Sequence, residues 1–346
     1  MPEEEPHLDA TTKSRGPIRK PTLIDREMLE RIMGLDDYLV AVESAFRAHA
    51  EGRTSQPMPL HIEVDSGGFH AKGAFVMGPG ERPAGYVAVK VNSNFPGNPA
   101  KGLPTIQGAV LLYDATDGVL LAILDSMEIT SKRTAAASAL AAKHLARADA
   151  RTVAICGCGE QGRAQLAAIA RVRRIERAFA WDADVQKARG FASEMGAALG
   201  FEVTPVTRLR DATLASDIIV TATTSQAPFL TRDCVRPGTF VAAIGADNPH
   251  KSELHPDLFI ETKVVVDSFE QASVMGDLHH AMEAKTMARN PAIYAELTEI
   301  VAGRKPGREN DDEITIFDST GLAIQDVASA AVAYASFLKR GSRCSD

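Results

Sequence analysis

Gly157, Gly159 and Gly162 stand in G-x-G-x-x-G register within Thr152-Val-Ala-Ile-Cys-Gly-Cys-Gly-Glu-Gln-Gly162. The apolar stretch before them reads as a buried strand, and the turn after them opens a helix. Each glycine has a separate task in such a loop. Gly157 allows a tight turn, Gly159 lets backbone approach a pyrophosphate, and Gly162 lets the helix pack closely on the strand. The helix N-terminus then offers free N–H groups and partial positive charge to the anion. An acid, Asp182, closes the next apolar run, Arg177-Ala-Phe-Ala-Trp181, 25 positions after Gly157. That fits the roughly 20-residue spacing of a carboxylate that bonds an adenosine ribose. Such an acid accepts from the ribose 2′-hydroxyl and repels a 2′-phosphate, which favours NAD over NADP. Asp182 could equally cap a helix over 183–196.

Three further residues could carry chemistry, each with a plainer reading beside it. Lys90 ends the apolar strand Tyr86-Val-Ala-Val-Lys90. It is either a site cation or a lysine whose stem lies along apolar surface with its ammonium in water. Arg133 sits in Ser131-Lys-Arg-Thr-Ala-Ala136, where cations and hydroxyls interrupt an alanine-rich helix. A guanidinium there could bind a carboxylate or phosphate through its planar fork, or merely face solvent. Asp247 lies in Ile244-Gly-Ala-Asp-Asn-Pro-His-Lys251, just past a strand. Ligands of open α/β sheets sit outside the carboxyl ends of strands, so this acid could exchange protons near a nicotinamide. It could also only satisfy loop amides.

The elements that must position these residues divide the chain in two. Helical spacing over 25–52 precedes strands at 61–64, 74–77 and 86–91. A hairpin follows, 107–113 with 119–125, turned by Asp117-Gly118. One long helix then covers 126–147. From there the pattern alternates, with strands at 152–156, 177–181, 202–205, 217–221, 239–244 and 263–267. Helices follow the glycine loop and cover 183–196 and 207–214. That alternation predicts an α/β protein with a doubly wound parallel sheet. The chain reads as helical again from Pro291, and a last helix spans 323–339. This last helix is expected to return to the first domain, whose strands need cover. Residues 1–20 read as a disordered tail.

Composition narrows the function. The 346 residues suggest about two domains. A net charge of −7 with no basic face argues against nucleic acid or an acidic membrane as partner. Cys156 and Cys158 flank a loop glycine, while Cys234 and Cys344 stand apart. They form neither a disulfide framework nor a metal set, so no metal is expected. No stretch is apolar enough to span a membrane and no signal peptide is visible, which makes the cytoplasm the default location.

Taken in order, several long motifs resemble the ornithine cyclodeaminase/μ-crystallin family. They are Val89-Lys-Val-Asn92, Phe95-Pro-Gly-Asn-Pro-Ala-Lys-Gly-Leu-Pro-Thr105-Ile-Gln-Gly108, Asp125 to Ser138, Gly157 to Gln161, Thr221-Ala-Thr223, Ile244 to Asp247, Lys251 to Leu254, and Asp318-Ser-Thr-Gly321. The resemblance covers nearly everything after Pro21. It implies a Rossmann domain, 134–319, inserted into an α/β substrate-binding and dimerisation domain made of 21–133 and 320–346. It implies that Lys90 and Arg133 hold the substrate carboxylate and the reacting C–N group, and that Asp247 is the acid/base. By the same resemblance Thr105, Arg133, Thr134, Glu160, Gln161, Asp182, Thr223, Lys251 and Ser319 lie near the cofactor, and Thr320 near the substrate. A homodimer is also implied.

One departure stands out. Many members carry an arginine for the substrate carboxylate in a Pro-Pro-Arg-like segment, where this chain has Gln56-Pro-Met-Pro59. Lys72, with His70 nearby, is the expected replacement cation. The resulting expectation is an NAD(H)-dependent oxidoreductase that acts on the C–N bond of a small amino or imino acid. The alternative is an ornithine cyclodeaminase that returns its hydride and forms proline and ammonia. A third reading is a crystallin-like binding protein without turnover.

Overall fold

The computed structural model describes residues 20–78, 84–284 and 292–343. Most of the expected tail, Pro291 and Cys344 lie outside these residues.

The first half folds as β1 (Thr22–Ile24), α1 (Arg26–Ile32), α2 (Leu35–Ala50), β2 (Thr54–Ser55), β3 (Leu60–Val64), β4 (Gly67–Met77), β5 (Gly85–Asn94), β6 (Ile106–Asp114) and β7 (Leu120–Asp125). These strands form a sheet in the order β1-β7-β6-β5-β4-β2, with β3 paired to β4. Alternation along the strands gives the sheet two distinct faces. Ala74, Ala88, Val110 and Leu112 are buried on one face. Lys72, the cross-strand partner of Lys90, continues that same face. The opposite face presents Leu60, Ile62, Val64, Phe69 and Val91, all exposed.

Next comes α3 (Ser126–Leu145), started by Asp125, whose side chain accepts from Glu128 N at 2.8 Å. Its alanines at 135–137, 139, 141 and 142 are buried on every side. A helix apolar all round must be covered all round. Here α2 and α4 do so, and α3 joins the two halves of the chain.

The second half runs β8 (Thr152–Cys156), α4 (Glu160–Val172), β9 (Arg177–Trp181), α5 (Val185–Leu199), β10 (Glu202–Pro205), α6 (Leu209–Thr213), β11 (Ile218–Thr221), β12 (Phe240–Ala243), β13 (Lys263–Val266), α7 (Phe269–Ala272), α8 (Asp277–Glu283), β14 (Ile293–Glu296), α9 (Leu297–Val301), β15 (Thr315–Asp318) and α10 (Ala323–Arg343). All strands of its sheet are parallel, in the order β10-β9-β8-β11-β12-β15-β13-β14. The expected doubly wound sheet is therefore present. Strand order reverses between β8 and β11, and a crevice opens beyond their carboxyl ends at such a point. The last helix returns to the first sheet and packs on β4, β5 and α2.

Two sequence expectations are corrected. Ile293–Glu296 is a strand, not helix, because pairing with buried β13 outweighs the local helix preference of Ala295 and Glu296. The helix after Asp182 is capped by Asp184, whose Oδ1 accepts from Gln186 N at 2.9 Å. No helix among the described residues is long and apolar enough to cross a membrane.

Candidate active site

The glycine loop is shaped by close contact. Gly157 has φ +105°, and a Cβ there would lie 2.5 Å from the carbonyl oxygen of Ala222, at the end of β11. A Cβ on Gly162 would lie 2.2 Å from the Gly157 carbonyl oxygen. Gly162 thus lets α4 abut the loop itself as well as Ile155 of the strand. At Gly159 a Cβ would meet nothing within 4 Å, so the space before α4 is open. Glu160 is exposed in the first turn, and the N-terminus of α4 has no side-chain cap. An open approach to an uncapped N-terminus suits a pyrophosphate. The Asp182 carboxylate accepts from Cys158 N and Asp184 N, both at 2.9 Å, which fixes it beside the loop. These residues fit the adenosine-diphosphate half of a dinucleotide.

Four buried acids brace the loops around the crevice. Glu253 accepts from Thr223 N and Oγ1, both at 2.6 Å, and from Gly245 N at 2.9 Å. Asp277 accepts from Glu253 N and Leu254 N. Asp318 accepts from Leu278 N. Asp267 takes Gly321 N and the hydroxyls of Ser319 and Thr320. Burial raises Asp318, with Asp267 close by, to about 7, and raises Glu253 and Asp277 as well. The sequence reading did not single these acids out. An acid inside an apolar run, as at Asp267 after Val264–Val266, was the available signal.

Lys90 and Arg133 are 4% and 5% exposed, so neither is a surface residue. Lys132, beside Arg133 on α3, takes the outward direction and pairs with Glu128. Both buried cations converge on Asp326 of α10, which the sequence reading missed. Lys90 Nζ lies 3.0 and 2.9 Å from its two carboxylate oxygens and donates to Thr130 Oγ1 at 3.2 Å. Arg133 Nε donates to Asp326 Oδ1 at 3.0 Å, and Nη1 to Gln325 Oε1 at 2.9 Å. The guanidinium lies against Gly321, where a Cβ would sit 2.8 Å from Nη1. Lys72 Nζ donates to the carbonyls of Thr320 and Gly321, both at 3.0 Å. An ammonium has three donors and a guanidinium five. After these bonds Lys72 and Arg133 each keep at least one donor for a ligand.

Asp247 lies in the loop beyond β12. It is half exposed, and its Oδ1 accepts from Lys251 Nζ at 2.8 Å. Partial burial pulls its pKa upward, but the Lys251 ammonium outweighs this and holds the carboxyl below its usual range. Asp247 also interacts electrostatically with Lys72 and His70. His280 on α8 braces this loop, with Nε2 2.9 Å from the Lys251 carbonyl. Burial lowers Lys90 to about 7. Asp326 opposes that fall, and Arg133 and Lys72 deepen it. Burial and Arg133 lower Lys72 as well.

Gln161, Thr223 and Thr105 are held by local contacts. Gln161 Nε2 reaches the Ser131 carbonyl at 3.4 Å, tying α4 to α3 beside Thr134. Thr223 sits against Gly157, within 3.0 Å of where its Cβ would be. Thr105 enters β6, and its carbonyl accepts from Phe95 N.

Residues 20–341 match the ornithine cyclodeaminase/mu-crystallin family. The chain belongs to this family. It is 38% identical over 319 residues to the alanine dehydrogenase of Archaeoglobus fulgidus, covering 92% of this chain and 95% of that one. An archaeal alanine dehydrogenase dimer with bound NAD has a similar structure, with TM-score 0.86 and 37% identity over 93% of this chain and 97% of that one. The Thermococcus litoralis Δ1-pyrroline-2-carboxylate reductase in complex with NADH and L-proline is as similar. Its TM-score is 0.87 and its identity 37%, covering 92% of this chain and 98% of that one.

Proposed function

We propose that this family member is an NAD(H)-dependent oxidoreductase acting on the C–N bond of a small amino or imino acid. The observation that carries the reading is the meeting of buried Lys90 and Arg133 with half-buried Lys72, and the Asp247 carboxylate near enough to interact electrostatically with Lys72 and His70. The family relatives act on substrates of this kind and supply the reaction class.

In this reading, Gly157, Gly159, Glu160, Gln161 and Gly162 hold the pyrophosphate, and Asp182 the adenosine ribose. Thr105, Arg133, Thr134, Thr223, Lys251 and Ser319 line the rest of the cofactor crevice. The nicotinamide supplies or takes the hydride at the substrate α-carbon. Arg133 orients that carbon by gripping the carboxylate, and Lys72 takes the place of the missing arginine. Thr320 lies beside the substrate. Lys90 offsets negative charge at the reacting centre. Asp247 takes a proton from the amine nitrogen during oxidation and returns it during reduction.

The domains in this reading are 21–133 with 320–346 for substrate and dimerisation, and 134–319 for NAD. The packing of α10 on β4 and β5 supports that division. The apolar outer face of β3–β5 supports a homodimer like that of the archaeal relative. Ile62 is 52% exposed there. Ile62→Asp is expected to convert a dimer to a monomer in light scattering, and an unchanged mass would rule this face out. Free, buried Cys156, Cys158 and Cys234 support a reducing compartment, the cytoplasm.

Asp182→Ala should raise the KM for NAD by about ten- to a hundredfold, since a hydrogen bond to a charged group contributes about 1.5–3 kcal/mol. It should weaken NADP use less or not at all, and equal loss for both cofactors would remove Asp182 from cofactor choice. The reading as a whole is tested by a substrate panel followed at once by NADH absorbance and ammonia release. Alanine, ornithine, lysine and proline would be paired with NAD, and pyruvate, glyoxylate and cyclic imines with NADH and an amine. Net NADH change with one of these establishes the dehydrogenase or reductase. Ammonia and proline from ornithine at constant absorbance would establish the cyclodeaminase instead. NAD binding with no turnover of any compound would leave a binding protein.

A further inference from the structure

We propose that Asp326 is a positioning residue of this site, clamping Lys90 and Arg133 together and setting the direction and the charge of Lys90. This rests on the reading of Lys90 as a site cation.

The argument begins with topology. Lys90 comes from β5, Arg133 from α3 and Asp326 from α10, which lies some 190 residues after Arg133 in the chain. Asp326 is 2% exposed and reaches Lys90 with both oxygens, sharing Oδ1 with Arg133 Nε. The neighbouring Gln325 holds Arg133 Nη1, so two successive residues of α10 fix the guanidinium plane. Gly321, just before α10, leaves room for that plane.

Charge explains why a carboxylate is needed there. The groups facing Lys90 are Asp326 from α10, Arg133 and Thr130 from α3, and Lys72 from β4. Without Asp326, three cations would face one another, two of them almost fully buried, and the lysine ammonium groups are the ones able to shed a proton. Asp326 itself feels burial raising its pKa, but Arg133 and Lys90 hold it below the usual range. It therefore stays ionised while Lys90 titrates. Because Lys90 lies at about 7, a modest loss of stabilisation changes its charge within the physiological range.

The sign follows directly. Losing the Asp326 charge lowers the Lys90 pKa, so Lys90 is neutralised at a lower pH. Activity that needs the cation is then lost at a lower pH.

The test compares wild type with Asp326→Asn and Asp326→Glu. The midpoint of Lys90 is read from its 13Cε shift in lysine-labelled protein, assigned by loss of the signal in Lys90→Met. The alkaline limb of kcat/KM is read in parallel, and NADH binding by fluorescence monitors the fold. In Asp326→Asn, both the Lys90 midpoint and the alkaline limb should fall by at least one pH unit, about a tenfold loss of activity above neutrality, with NADH affinity retained. Asp326→Glu should recover most of the shift. An unmoved Lys90 midpoint in Asp326→Asn overturns the proposal. A moved midpoint with an unmoved alkaline limb supports the clamp but overturns the role given to Lys90 in the reaction. If Asp326→Asn fails to fold, Asp326→Ser takes its place as the variant without the charge, and a wild-type Lys90 midpoint there overturns the proposal.

Discussion

Asp247→Asn is expected to lower kcat by about 10²–10⁴-fold, the usual worth of a positioned general acid or base. NAD affinity should stay within a few-fold of wild type, because Asp247 reaches the cleft from the loop beyond β12 and not from the glycine loop. The pH profile carries the sharper evidence. Lys251 holds Asp247 below the usual carboxylate range, so the base form persists well into acid. Oxidation of an amino acid should then fall only as pH drops through that depressed value. Lys251→Met removes the largest opposing charge, raises the Asp247 pKa and moves the acid limb upward. Steady-state rates across pH for the three proteins would check this. An asparagine variant within fivefold of wild type would remove Asp247 from the proton transfer and point to water or Lys90.

Arg133→Met should damage both binding and folding. Breaking a buried ion pair costs about 3–5 kcal/mol when a charge is left uncompensated. Here Lys90 still faces Asp326, so the low end of that range is expected. Loss of the fork to a substrate carboxylate should raise KM by about ten- to a hundredfold. Arg133→Lys separates the two effects. It keeps a positive charge beside Asp326 but cannot reach Gln325 and the ligand with one rigid plane. Its melting temperature should stay near wild type while KM remains high. Thermal denaturation and initial-rate kinetics on both variants give the comparison. An Arg133→Met protein with unchanged KM would mean that Lys72 and Lys90 alone hold the carboxylate.

Local signals carried much of this fold. In the second sheet β8, β11, β12 and β13 were legible because each is a short apolar run buried on both sides. The alanine-rich helix was legible because no glycine or proline breaks it. Where pairing rather than pattern decided, the reading failed. Ile293–Glu296 becomes a strand only because β13 is there to receive it. Thr315–Asp318 was not among the expected strands, yet it enters the middle of the sheet between β12 and β13. Four residues carry too little periodicity to declare themselves.

The site shows the same division. By itself the sequence determined the class of nucleotide loop, and it marked Asp182, Lys90, Arg133 and Asp247 as candidates because each stands in a distinctive local setting. Only the tertiary structure decided that Lys90 and Arg133 are buried and that Lys132 faces out. It also decided that Asp326 binds both cations from a helix far along the chain. An aspartate in the first turn of an amphipathic helix looks like an ordinary dipole-complementing acid. Its meaning depends on which charges the fold brings within 3 Å, and that is a property of three elements packed together, which no stretch of sequence contains.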